Sequence, residues 1–171
     1  EKTLRSFKLS GVDKDEATRN RIKALNDEIT KIGQEFARNI RDGKRTVTVD
    51  SVADLEGLPQ DYIDGHKPNA DGKIILTTDY PDSLPVFSYA KNEKLRKDMY
   101  FAYNNRAYPE NVEVLNRLAQ KRYELSKLVG FDNYADFVTA DKMIGSAKNA
   151  SDFITKIVNA ADERVKDEYQ E

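Results

Sequence analysis

Side chains that could carry out chemistry are few in this sequence. It holds one histidine, His66, and no cysteine. Protein zinc sites need three or four converging ligands, mostly histidine and cysteine, so one imidazole cannot form such a site alone. His66 lies in "GHKPNADG", a glycine- and proline-containing stretch that is typical of a loop. We therefore expect a solvated loop histidine, and we favour this over a catalytic or metal-binding role.

Other catalytic patterns are also missing from the sequence. Most of the acidic residues fall on helix faces opposite the apolar stripes, where charge usually serves solvation. No serine stands in a nucleophile-elbow pattern, and no glycine-rich phosphate-binding loop occurs. We predict no catalytic residue, no metal ligand and no bound cofactor in this chain.

The composition limits the partners. Hydrophobic residues make up 39% of the chain and charged residues 34%, and the 28 basic residues are interspersed with 30 acidic ones. This balance lacks the basic surface that nucleic-acid binding requires. No run approaches the roughly 20 apolar residues of a membrane span. Neither a nucleic acid nor a membrane is an expected partner.

Apolar residues recur three and four positions apart along most of the chain, which predicts amphipathic helices. The predicted helices are Asp13–Arg41, Asn92–Ala107, Pro109–Val129, Asn133–Ile144 and Ala147–Tyr169. The residues expected to cap them are Gly43 and Gly130 in the left-handed conformation at C-termini, and Asn92, Asp132 and Ser146 at N-termini.

Two runs rich in β-branched residues, Thr46–Val49 and Lys73–Thr78, predict strands. The segment between them holds too little helix for a usual parallel crossover, so we expect an antiparallel pair. The predicted fold class is mainly α, with helical hairpins or a bundle and one small two-stranded β ribbon. Residues 44–80 would form a β-containing insertion between helices.

Arg122 places a full charge on a predicted apolar face. Its neighbours on that face are Leu115, Leu118, Leu125 and Val129. Two alternatives are open: the guanidinium extends from the edge of the face to solvent, or it is buried against a carboxylate and main-chain carbonyls. We expect a mostly buried Arg122 bonded to an acidic side chain or a carbonyl of a neighbouring helix, in a structural rather than a catalytic role.

The ends of the chain suggest a part of a longer protein. The sequence opens on Glu1 without an initiator methionine and ends in "DERVKDEYQE", which contains no helix-terminating residue. We expect residues 1–171 to be a single excised segment. The compartment stays open, since a signal peptide could precede Glu1 in the parent, and the cytoplasm is favoured.

A series of short phrases in a fixed order resembles one known family. The phrases are "LEGLP", "PVFSYAKNEKLRKDMYFAYNNRA", "EN", "KRYELSKLVGFDNYADF" and "DKMIGSAKNASDFI". From about Ala17 onward they are similar to the thimet oligopeptidase, neurolysin and oligopeptidase A family of zinc metallopeptidases. The whole series at the right separations is more specific than any single phrase.

The resemblance implies a larger, mainly helical metallopeptidase fold with a channel between two lobes. It also implies cleavage of short peptides by zinc held on a helical HExxH motif and a later glutamate. That motif lies C-terminal to the matched region in the family, and it is not present here, because His66 is followed by "KPNA". The expected function is therefore a non-catalytic helical segment that helps form the substrate-channel wall.

Zinc would belong to the full-length parent, and the partners would be short peptide substrates and the rest of the same polypeptide. The alternative is a helical binding or scaffold module from a catalytically inactive relative.

Overall fold

The computed structural model describes residues 2–170. Within them, helices dominate and one antiparallel two-stranded sheet is present, so the predicted mainly α class is confirmed. The α-helices are α1 (Lys2–Leu9), α2 (Glu16–Asp42), α3 (Gln60–Gly65), α4 (Tyr80–Tyr89), α5 (Glu93–Asn104), α6 (Glu110–Val129), α7 (Tyr134–Thr139) and α8 (Ala147–Gln170). The strands are β1 (Thr46–Val49) and β2 (Ile74–Thr77), and Val52–Leu55 forms a short 3₁₀ helix.

The strands pair antiparallel, as predicted, with Thr46 opposite Thr77 and Val49 opposite Ile74. Alternate side chains of each strand are buried, because successive residues of a strand point to opposite faces. The buried face packs into an apolar core of one compact unit, formed by residues 33–115. This core comprises Val47, Val49, Leu55, Leu58, Ile74, Leu76, Val86, Ala90, Leu95 and Met99.

A second compact unit combines the described residues up to Ile32 with those from Asn116 onward. Its core is smaller, because four residues of α2 and α6 carry most of the burial. These are Ile22, Leu25, Leu125 and Val129, with Phe131 and Phe137 packed against them. The apolar stripe of α2 is thus buried or partly buried from Ile22 to Ile32, whereas Ile40 is exposed.

Local sequence signals located several helix ends correctly. The Asn92 side chain accepts a hydrogen bond from the backbone N–H of Leu95 at 3.2 Å, and Ser146 Oγ accepts one from Asn149 at 3.1 Å. Gly130 has a φ of 106°, and the N–H of Phe131 reaches the Ser126 carbonyl at 2.8 Å, which closes the helix as predicted.

Two predicted caps are wrong. Asn133, rather than Asp132, caps α7 by accepting the N–H of Asp136 at 2.8 Å. Gly43 is outside the left-handed region. It is needed instead for close approach, because a Cβ there would lie 2.7 Å from both the backbone nitrogen of Ala107 and the carbonyl oxygen of Asn39.

One predicted helix boundary is wrong, and two helices were missed. Helix α7 ends at Thr139, well before the predicted Ile144. Helices α1 and α4 were not predicted at all. Helix α4 contains Pro81 in its first turn, where the missing N–H of proline costs nothing, and Pro85 in its interior.

Candidate functional site

The single histidine is held on both sides and is not a solvated loop residue. His66 follows the end of α3, and its side chain is only 21% exposed. Its Nδ1 lies 2.8 Å from the carbonyl oxygen of Tyr62, and its Nε2 lies 3.1 Å from Oδ1 of Asp82. The predicted solvated histidine is therefore wrong, because a partner sixteen positions along the chain covers the ring. Both ring nitrogens thus lie within hydrogen-bond distance of acceptor oxygens.

Asp82, the partner from α4, is anchored by β2. Its Oδ2 accepts hydrogen bonds from the backbone N–H of Thr77 at 2.7 Å and from the Thr77 hydroxyl at 2.6 Å. Burial alone raises the pKa of this carboxyl group, but the Thr77 bonds and His66 outweigh burial and hold the pKa of Asp82 below its usual value. Asp82 is thus an ionised structural acceptor that joins β2, α3 and α4.

The residues described do not fit a zinc site. Within residues 2–170, no three histidine, cysteine or acidic side chains converge closely enough to hold a metal ion. The sequence also lacks the paired histidines that zinc peptidase chemistry needs.

Arg122 is mostly buried, as predicted, but its partner differs from the prediction. Its Nε is buried without a hydrogen-bond partner among the described residues. The guanidinium instead lies over the ring of Tyr134, with Cζ 5.2 Å from the ring centroid. A cation over an aromatic face is stabilised by the ring quadrupole. Among residues 2–170 the expected acidic or carbonyl partner is absent.

The neighbours of Arg122 also differ from the predicted face. Leu118, Leu125 and Val129 are buried as expected, but Leu115 is 52% exposed and Val114 is buried in its place. The buried side of α6 is thus shifted by one residue at the start of the helix.

The structural role of Arg106 was not predicted from the sequence. Its Nε and Nη2 donate to the carbonyl of Ile40 at 3.1 and 2.9 Å, and its Nη1 donates to the carbonyl of Thr78 at 3.0 Å. The planar guanidinium can serve both carbonyls at once, which a lysine cannot do. Arg106 therefore fastens the end of α2 to the end of β2.

Asn111 adds a second connection in the same region. Its side-chain amide donates to the carbonyl of Phe36 at 3.0 Å and accepts from Asn39 at 2.9 Å. Arg106 and Asn111 both lie in the "YNNRAYPEN" stretch that also carries the family resemblance. The structure assigns this stretch a positioning role between helix ends, since its donors are directed at main-chain carbonyls.

A group of charged side chains joins α2 and α6 in the unit that contains the chain ends. Arg21 contacts Glu28 at 3.0 Å and donates to Glu124 through Nε at 2.7 Å, while Lys121 contacts Glu28 at 2.6 Å. The Lys121 bond is the main reason that the pKa of Glu28 is lowered. These carboxylates are neutralised by basic partners, so they do not form an acid–base pair for catalysis.

Helix α8 exposes its apolar face. None of its residues is buried, and five apolar side chains, including two adjacent pairs four positions apart, are more than half exposed. They are Phe153, Ile154, Ile157, Val158 and Val165. Contiguous exposed apolar surface of this kind is typical of a surface that another polypeptide covers. No helix within residues 2–170 is long and apolar enough to cross a membrane.

Comparison with known proteins agrees with the resemblance found in the sequence. The model of peptidase family M3 matches residues 86–171. Oligopeptidase A of Escherichia coli is 31% identical over 172 residues, covering 92% of this chain and 25% of that protein. Oligopeptidase A of Haemophilus influenzae is 29% identical and covers all of this chain and 27% of that protein. Saccharolysin of Saccharomyces cerevisiae is 29% identical, covering 92% of this chain and 23% of that protein.

The mainly helical fold and these matches define the class as a metallopeptidase segment. More specifically, the chain belongs to peptidase family M3, the family of the oligopeptidases that it resembles. It spans about a quarter of the length of the relatives it matches.

Proposed function

We propose that this chain is the non-catalytic helical segment of a zinc metalloendopeptidase or oligopeptidase that hydrolyses short peptides. One observation carries the proposal: the match to oligopeptidase A covers 92% of this chain but only 25% of that protein. The described residues contribute scaffold contacts, such as those of Arg106, and no set of zinc ligands. In this proposal, zinc and the catalytic groups lie in the remaining polypeptide of the parent.

The segment's role in the parent is to help form the wall of the substrate channel. Residues 1–171 act as one segment, and residues 44–80 form its β-containing insertion. The partners are short peptides and the rest of the same polypeptide. The exposed apolar face of α8 supports the second partner, because a helix in water seldom leaves five large apolar side chains uncovered.

Metal and activity measurements on the chain alone test the non-catalytic part of the proposal. The chain is stripped with a chelator, reloaded with zinc and assayed for bound metal and for cleavage of a quenched fluorescent peptide. Oligopeptidase A of Escherichia coli, treated in the same way, is the positive control. We expect far less than one zinc per chain and no turnover above buffer. One tightly bound zinc per chain, or measurable turnover, would contradict the proposal.

A second candidate function is a helical binding or scaffold module from a catalytically inactive relative. The α8 face also favours this alternative, because it offers a docking surface without any catalytic group. The two candidates differ in what the chain can support. A segment of an active peptidase should sustain peptide hydrolysis when it replaces the matching region of a relative, whereas a module from an inactive protein need not do so.

A further inference from the structure

The hydrogen-bond partners of His66 select one protonation state of the ring. Nδ1 faces the carbonyl oxygen of Tyr62, and Nε2 faces a carboxylate oxygen of Asp82. Both partners are acceptors, so each ring nitrogen must donate to make a hydrogen bond. A neutral imidazole carries only one N–H, and its other nitrogen is an acceptor. Only the protonated ring satisfies both contacts.

The groups around the ring favour the same state. Tyr62 stacks on His66 with ring centroids 4.2 Å apart and an angle of 26° between the planes, which favours a cationic ring. The Tyr62 hydroxyl donates to the main-chain carbonyl of Asp82 at 3.1 Å. Burial, and then the nearby Asp82 charge, raises the pKa of the Tyr62 phenol, so it stays neutral. The hydrogen bonds and the ring stacking thus place two titratable residues, Tyr62 and Asp82, against the ring.

We propose that His66 forms a pH-dependent contact between α3 and the start of α4. This contact, the clasp, consists of the hydrogen bonds from His66 to the Tyr62 carbonyl and the Asp82 carboxylate. The clasp is closed while the imidazole is protonated and Asp82 is ionised. When the ring loses its proton, one nitrogen lone pair faces an oxygen at hydrogen-bond distance, and that contact becomes repulsive. None of the residues in α3 itself is fully buried, so release of the clasp lets α3 open locally while the sheet stays folded.

The sign of the pH dependence follows from these two groups. The imidazole holds the clasp at lower pH, and this stabilisation is lost as pH rises and the ring becomes neutral. Asp82 has a lowered pKa, so its contribution is lost only under strongly acidic conditions.

Because the chain has a single histidine, its ring nitrogens give one unambiguous set of NMR signals. We would record these signals and the backbone amide exchange of ¹⁵N-labelled protein from about pH 5 to about pH 8. At the lower pH, both nitrogens should be in the N–H form. As the ring becomes neutral, protection of α3 amides, corrected for intrinsic exchange, should fall roughly tenfold or more, the loss expected for a hydrogen bond to a charged group. Amides of the β1–β2 ladder should keep their protection.

Two variants separate the clasp from ordinary packing. His66→Phe keeps the stacking on Tyr62 but has no donor, so protection of α3 should be low and independent of pH. Asp82→Asn keeps the shape of the side chain and removes its charge, so the pH dependence should shrink markedly. If the ring titrates while protection of α3 stays constant in the unmodified protein, the proposal is wrong. Unchanged pH dependence in Asp82→Asn would also overturn it.

Discussion

Replacing Arg106 by alanine should destabilise the unit formed by residues 33–115. Its guanidinium makes three contacts of 2.9 to 3.1 Å with the carbonyls of Ile40 and Thr78, and its Cζ lies 5.7 Å from the ring centroid of Tyr103. A hydrogen bond from a charged donor contributes about 1.5–3 kcal/mol. The Ile40 contacts are exposed and the Thr78 contact is half-buried, so solvent screening reduces the total.

We therefore expect Arg106→Ala to lower the free energy of unfolding by about 2–3 kcal/mol. For a chain of this size that corresponds to a fall in melting temperature of roughly 4–12 °C. Arg106→Lys keeps the charge but cannot serve both carbonyls, so about half of the loss should remain.

The measurement is thermal and urea unfolding followed by circular dichroism and tyrosine fluorescence. Arg164→Ala is the matched control, because Arg164 has an exposed contact with Glu168 at 2.7 Å, four positions away on α8. Removal of such a pair should change stability by about 0.5 kcal/mol or less. If Arg106→Ala and Arg164→Ala unfold at the same temperature, or if Arg106→Lys matches the unmodified protein, the reasoning about the two carbonyls is refuted.

Substitutions at four further positions test other contacts. Gly43→Ala should lower the free energy of unfolding by about 1–3 kcal/mol, because the new Cβ would meet two backbone atoms at 2.7 Å. Gly33→Ala has open space around it, so it should raise the free energy of unfolding, measured with urea, by up to about 1 kcal/mol. Asp82→Asn should destabilise the protein at neutral and mildly acidic pH, and the difference should vanish only under strongly acidic conditions, because a carboxyl with a lowered pKa stabilises the fold while it is ionised. The free energy of unfolding of Arg122→Met should lie within about 1 kcal/mol of that of the unmodified protein, and Arg122→Ala should be clearly less stable. Methionine replaces the aliphatic part of the arginine side chain, and Nε has no hydrogen bond to lose. Equal melting temperatures for the two Arg122 variants would contradict this.

Features set by neighbouring residues were the most predictable from the sequence. The cap at Asn92 and the turn at Gly130 depend on side-chain and backbone geometry within a few positions, and both were confirmed. The strand pair was also predicted, because β-branched alternation and turn residues are local signals.

Features set by distant residues were not predictable in the same way. His66 appeared solvated because its partner Asp82 lies sixteen positions away on α4, a helix that was not predicted. The Gly43 prediction failed because the close backbone is that of Ala107, far along the chain. Arg122 was expected to bond to an acidic side chain or a carbonyl of a neighbouring helix, but the fold places the ring of Tyr134 beside it. Tertiary contacts decided each of these cases, and no local pattern encodes them.

The central claim is that this chain is a structural segment of an M3 peptidase, and a chimaera tests it most directly. The matching quarter of Escherichia coli oligopeptidase A is replaced by this chain, and zinc content and hydrolysis of short peptides are measured. The same protein with the segment deleted is the control, and it should be inactive. We predict that the chimaera binds zinc and hydrolyses short peptides. A folded, zinc-loaded chimaera that hydrolyses no peptide would contradict the claim.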